Sequence, residues 1–162
     1  MNALYENIYM NLKINQKYYV LAIFVLKIFI GLYYFSSPAE NWYVPFMESV
    51  TNSLLENSGN PFKYEVSSNI AFPYGYGLIL TLIPGFLLSY FLHFDPIIAY
   101  FMTLAFIDLL TYIFIKKITT TEHLNVFIFY WCNPIIILST YYLGLNDIIP
   151  VLFVVMAVYF VK

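Results

Sequence analysis

Arginine is absent from the 162 residues, and charged residues of any kind make up only 10%. Seven lysines stand against nine acids, for a formal net charge of −2. The sequence therefore offers no basic stretch to track a polyanion, which excludes nucleic acid as a partner. The single cysteine, Cys132, lies inside an apolar run, which excludes a disulfide framework or a cysteine metal centre within one chain. No Walker loop, dinucleotide glycine fingerprint, HExxH or nucleophile elbow occurs, so the parts of a soluble nucleotide-sugar site are missing. What remains is apolar: 62% hydrophobic residues, 22% aromatic, and a mean hydropathy of +0.76. Ordinary soluble domains are nearer half apolar and a quarter charged. This balance excludes a soluble globular enzyme or a disordered chain and indicates a multi-pass integral membrane protein lying in the lipid bilayer.

The chain divides readily into apolar runs and polar connections. Residues 1–17 are polar and read as a cytoplasmic N-terminus, and 18–35 read as the first span, interrupted only by Lys27. Trp42 and Tyr43 suit an interfacial belt. Residues 45–56 read as a short amphipathic helix, opened by Pro45, with Phe46, Val50 and Leu54 on one face and Glu48, Asn52 and Glu56 on another. Residues 78–92 are apolar but short, and Pro84-Gly85 is expected to split them. Two further spans follow at 97–115, closed by Lys116-Lys117, and at 124–143, broken at Asn133-Pro134. Residues 148–162 read as the start of a fourth span that is cut short.

Lysine placement arbitrates the topology, because positive charge collects on the cytoplasmic side. If 78–92 spans, five crossings put Lys116, Lys117 and Lys162 outside. If it is re-entrant or interfacial, four crossings put Lys13, Lys17, Lys116, Lys117 and Lys162 inside and only Lys63 outside. The expected fold is therefore all-α: a polytopic transmembrane bundle of four spans plus a re-entrant or interfacial outer segment, with five spans as the alternative. The long loop 36–96 then lies on the non-cytoplasmic face, as does the turn at 144–147.

Few residues can carry chemistry. Glu40, just beyond the first span, sits where partial desolvation raises a carboxylate's basicity, which suits a general base; the alternative is a solvated loop acid. Glu48 is the second candidate base, or simply part of a polar helix face. Asn146 and Asp147 either bind a sugar or phosphate group or its metal ion, or Asp147 merely caps the helix after it. Asp108 is mid-span, where an ionisable group is costly and often functional. Protonation, a bond through Thr103, Thr111 or Tyr112, and an ion pair with Lys27 are all open to it. Lys27 can alternatively snorkel along its stem. His93 and His123 lack ligand-spaced partners and read as loop or interfacial histidines.

The order of these features resembles a known family. A first span, an outer loop with an early acid, Asn60-Pro61-Phe62 and the run Phe72-Pro73-Tyr74-Gly75-Tyr76-Gly77 are followed by a span carrying Asp108. Then come Tyr130-Trp131-Cys132-Asn133-Pro134 and Ser139 through Gly144-Leu145-Asn146-Asp147. The whole is similar to the N-terminal part of GT-C-type integral-membrane glycosyltransferases, above all the mannosyltransferases of the GPI precursor and their bacterial and archaeal relatives. The resemblance implies a transferase that moves a hexose such as mannose from a polyprenyl-phosphate-linked donor to a lipid or glycan acceptor on the non-cytoplasmic face. It implies Glu40 as the first-loop acid, and Asn146, Asp147 and Tyr74 as substrate-binding residues, with a divalent cation left open. The chain departs from the family where Trp42 replaces the second acid of an Asp-x-Asp-like pair and where Leu145 alters the turn's spacing. It is also shorter than those enzymes, so a fragment, or a second chain supplying the missing spans, is expected. The competing reading is a non-enzymatic membrane subunit or transporter half, in which polar groups converge near mid-membrane.

Overall fold

The computed structural model describes residues 16–34, 38–56, 76–120 and 123–162, and its elements are all helical. Helix α1 is Gln16–Tyr33. A wide turn, Ala39–Tyr43, leads into α2, Val44–Leu55. Helix α3 is Tyr76–Leu92, α4 is Pro96–Ile118, α5 is the broken helix Leu124–Tyr142, and α6 is Ile148–Val161. Helices α1, α4 and α5 are long and apolar enough to cross a membrane; α3 and α6 are apolar but shorter. At 1.5 Å per residue α4 is about 34 Å long and α3 about 25 Å.

Local chemistry sets the element boundaries. Asp95 accepts a hydrogen bond from the Ile97 amide at 2.9 Å, and Pro96 occupies the first helical position, where its missing N–H costs nothing. Lys116 and Lys117 lie inside the last turn of α4 rather than ending it, since cations there complement the helix dipole. In α5, the Cys132 amide reaches the Phe127 carbonyl and Leu143 reaches Leu138, each five residues back, so both halves end in widened turns. Asn133 bridges the break. It donates to the Phe129 carbonyl at 3.0 Å and accepts from the Ile135 amide at 2.9 Å, recapping the helix before Pro134.

Two sequence expectations need correction here. Pro84-Gly85 does not split its segment: α3 is one continuous helix, with Pro84 on its exposed side. Gly85 is instead a contact point, since a Cβ there would collide with the Thr103 hydroxyl of α4. In α2, Phe46 and Val50 are buried as the spacing requires, but Leu54 is 51% exposed, while Met47, Thr51 and Ser53 go inside. Thr51 and Ser53 can be buried because their hydroxyls donate to the carbonyls four residues back.

Helix α4 is the central element, with Tyr100, Phe101, Leu104 and Ala105 fully buried. α1, α3 and α6 all pack on it. Against α1 the approach is close, because a Cβ on Gly31 would come within 2.5 Å of the Phe101 ring. The helix ends define two poles. At one, Gln16 donates to the Tyr112 hydroxyl at 3.1 Å, the Phe114 and Tyr159 rings meet at 5.1 Å, and Lys162 donates to the Ile118 carbonyl. At the other, the Tyr34 and Tyr142 rings lie 5.3 Å apart, and Tyr100 donates to the Gly144 carbonyl at 2.8 Å. The α3–α4 hairpin also turns at this second pole, through His93 at a φ of 55°. Lys17, Lys116, Lys117 and Lys162 thus collect at the first pole, and Glu40, Glu48, Asp95 and Asp147 at the second.

Candidate functional site: a mid-bundle polar knot beneath an acidic pole

Asp108 lies on the buried face of α4 shared by Leu104, Ala105, Thr111 and Tyr112, at the helical spacing of three and four residues. That face turns it toward α1 and α5. Its Oδ2 accepts from Lys27 Nζ at 2.7 Å and from the Tyr141 hydroxyl at 2.9 Å, and its Oδ1 accepts from the Tyr130 hydroxyl at 2.8 Å. Both charged side chains are 0% exposed. The Lys27 ammonium also sits 3.6 Å from the centre of the Trp131 ring, a cation–π contact shielded from water. Trp131 is held by its own N–H, which donates to the Val20 carbonyl at 3.2 Å, and by the Tyr112 ring at 5.1 Å. One carboxylate therefore ties α1, α4 and both halves of α5.

An isolated charge cannot persist in such an interior, and only a well-satisfied pair offsets the desolvation. The knot meets that demand with opposite charges, two hydroxyl donors and an aromatic face. Its geometry corrects two sequence options. Lys27 does not snorkel. Thr103 and Thr111 donate to the carbonyls of Ala99 and Ile107, and Tyr112 bonds Gln16, so none of the three expected partners serves Asp108. Tyr130 and Tyr141 were missed: their spacing of eleven residues would be three turns of an unbroken helix, but α5 is broken between them.

The second pole is built differently. Tyr43 stacks on Tyr100 with centroids 5.7 Å apart, and Tyr100 in turn pins the Gly144 carbonyl. This relay brings the turn that carries Glu40 and the turn that carries Asn146 and Asp147 to the same end of α4. Gly144 takes a φ of 65°, a conformation glycine adopts without strain, and the Leu145 amide closes back on the Ser139 carbonyl at 3.0 Å. Asn146 is 1% exposed, and its side-chain nitrogen has no hydrogen-bond partner among the described residues. Asp147 is exposed and its carboxylate caps nothing, contrary to the capping option. α6 starts instead from the Asn146 carbonyl, which accepts from the Ile149 amide at 3.0 Å. Glu40 is likewise exposed.

Glu48 stands apart from that relay. It borders a small cavity of about 60 Å³ with Thr51, Asn52, Ser89 and Tyr90. Its side chain is exposed, but partial desolvation against the hairpin, and then the nearby Asp95, push its carboxyl above the usual range. Tyr74 lies outside the described residues. Among the described residues no three His, Cys, Asp or Glu side chains are grouped to hold a metal ion. No protein-family model, no curated protein and no solved structure matches this chain.

Proposed function

We propose that the chain is part of a membrane glycosyltransferase whose acceptor and polyprenyl-phosphate-linked hexose meet at the acidic pole. The observation that carries this reading is the Tyr43–Tyr100–Gly144 relay, which gathers Glu40, Asn146 and Asp147 at one end of the bundle. Topology supports it. Gln16 and Lys162 lie at the same pole, which supports an even number of crossings, four rather than five. The gathering of lysines supports a cytoplasmic first pole, by the tendency of positive charge to stay inside, with the acidic pole facing away from the cytoplasm. α3 runs parallel to α1, toward the acidic pole, as the returning limb of a re-entrant segment would.

In this reading a carboxylate removes the proton of the acceptor hydroxyl as its oxygen attacks the anomeric carbon. The carbon–oxygen bond to phosphate breaks, and the polyprenyl phosphate leaves with the bonding electrons. Glu40 lies at the same end of the bundle as Asn146 and Asp147. Glu48 has the raised basicity that favours a base. Asn146 offers an unused donor, and Asp147 an unused carboxylate, for sugar hydroxyls. The test is transfer from a polyprenyl-phosphate hexose by the full chain, with any partner it requires, comparing Glu40→Gln, Glu48→Gln and Asp147→Asn. Loss on Glu40→Gln alone supports Glu40 as base, while unchanged transfer removes it from that role. A reporter at Lys117 reading outside, with one at Asn146 reading inside, would defeat the topology.

The second reading, a non-enzymatic subunit or transporter half, draws on the Lys27–Asp108 knot, since it expects polar groups to converge mid-membrane. The knot's groups are spent on one another, however, and they join three helices of the chain rather than line a path.

A further inference from the structure

Folding assembles at the lysine pole what the composition does not offer, a cationic surface drawn from three helices. Lys17 lies in the first turn of α1, Lys116 and Lys117 in the last turn of α4, and Lys162 follows α6. The Gln16–Tyr112 hydrogen bond and the Phe114–Tyr159 ring contact hold these ends side by side. Three of the ammonium groups rest over aromatic rings. Lys17 lies 5.0 Å from the centre of Tyr18, Lys116 5.3 Å from Tyr112, and Lys117 5.6 Å from Tyr159. Lys162 gives one donor to the Ile118 carbonyl. Lys27–Asp108 is the only ion pair among the described residues, so none of these four lysines is paired with a described carboxylate.

Cation–π seating orients an ammonium without consuming its N–H donors. Tyrosines and lysine stems also suit the headgroup layer, where one end is apolar and the other wet. The α4 dipole accounts for Lys116 and Lys117 but not for Lys17 and Lys162, which converge from other helices. We infer that this pole is a docking surface for anionic phospholipid headgroups, the phosphodiester group of a lipid such as phosphatidylglycerol. Charge complementarity carries the inference: four lysines with no ion-pair partner among the described residues sit at the depth where the available anions are lipid phosphates. It requires only that the bundle lies in the membrane and is independent of the glycosyltransferase reading.

The experiment uses the full chain purified in a neutral detergent and reads the thermal unfolding midpoint during titration with phosphatidylglycerol, phosphatidylcholine or inorganic phosphate. Phosphatidylglycerol should raise the midpoint more than phosphatidylcholine does, and the difference should shrink with added salt. Each lysine near a membrane surface adds about fivefold in binding. The double variant Lys116→Gln/Lys117→Gln should therefore bind phosphatidylglycerol about 25-fold more weakly. Arginine at both positions should restore it. Lys17→Gln alone, a change at an exposed helix end, should cost about fivefold and serves if the double variant does not fold. Equal responses to the two lipids, a preference that survives the glutamine variants, failure of arginine to restore it, or an equal effect of inorganic phosphate would each overturn the inference.

Discussion

The knot at the middle of the bundle and the acidic pole above it use the same residue types in opposite ways. In the knot, Asp108 takes three donors, Lys27 has a counter-ion and an aromatic face, and neither charge touches water. At the pole, Glu40 and Asp147 stand exposed, and Asn146 keeps a buried nitrogen without a partner among the described residues. A closed polar cluster stabilises one arrangement of helices and has nothing left to offer a ligand. An open one costs stability and retains its capacity to bind. On the proposed function the comparison gives structure to the knot and chemistry to the pole, and it can be broken at either end.

The largest effect is expected from halving the ion pair. Asp108→Leu leaves Lys27 buried and unpaired, and should destabilise the fold by about 3–5 kcal/mol. The double variant Lys27→Met/Asp108→Leu removes both charges and should recover most of that loss, because the pair's Coulomb energy is largely cancelled by desolvation. Unfolding of the four proteins of this cycle in a mild detergent measures the coupling. Tyr130→Phe and Tyr141→Phe should each cost only about 0.6 kcal/mol, the average for a hydrogen bond between membrane helices, since Asp108 keeps its other donors. A double variant as unstable as Asp108→Leu would mean that the polar groups have a task beyond pairing with each other.

Asn146→Leu tests the opposite sign. A buried donor without a partner carries a penalty of about 1–3 kcal/mol, so its removal should leave the fold as stable or stabilise it by up to that amount. The same change should abolish sugar transfer in a competent assay. Stabilisation with lost transfer is the signature of a functional orphan. Destabilisation by a core-like amount would instead move Asn146 to the structural side of the comparison.

A smaller effect is expected at the relay joining the two turns. Tyr100→Phe keeps the stack on Tyr43 but deletes the bond to the Gly144 carbonyl, which should cost about 1 kcal/mol. On the proposed function the consequence for transfer should exceed the consequence for stability, because phenylalanine keeps the ring's place in the core while the turn carrying Asn146 and Asp147 loses its tether. Parallel measurement of the unfolding midpoint and of transfer separates the two.

Much of the architecture was legible because it follows from composition and period. The apolar runs marked the helices, and Asn133-Pro134 marked the break in α5. What stayed hidden was tertiary. A mid-span Asp108 and a mid-span Lys27 could be seen as costly, but nothing local showed that Tyr130 and Tyr141 would complete their shell, because the widened turns and the break at Cys132-Asn133 set how α5 meets α4. Pro84-Gly85 was misread for a related reason. Proline favours a break in an isolated helix, yet Pro84 faces outward while Gly85 allows close contact with Thr103, and the packing outweighs the propensity. Likewise Asp147 fits a cap by sequence, but the Asn146 carbonyl takes over the start of α6 and leaves the carboxylate free.

The subtlest distinction lies within the acidic pole, between Glu48 and its neighbours. Burial first, and Asp95 second, raise the Glu48 carboxyl above its ordinary value. A raised folded value means that the folded state holds the proton more tightly than the unfolded one. The resulting stabilisation is full below the unfolded value of about 4.3 and is lost as pH rises through the folded value. Docking of α2 on the α3–α4 hairpin should therefore tighten on acidification. Hydrogen exchange of the α2 amides from about pH 4 to about pH 7, corrected for the intrinsic rate, should show protection falling as pH rises in the wild type. Glu48→Gln cannot ionise, so its protection should stay at the acid-side level throughout. If the two proteins exchange alike at every pH, Glu48 is a solvated helix-face acid. Its claim to be the base then lapses, and Glu40 alone remains to draw a proton at the acidic pole.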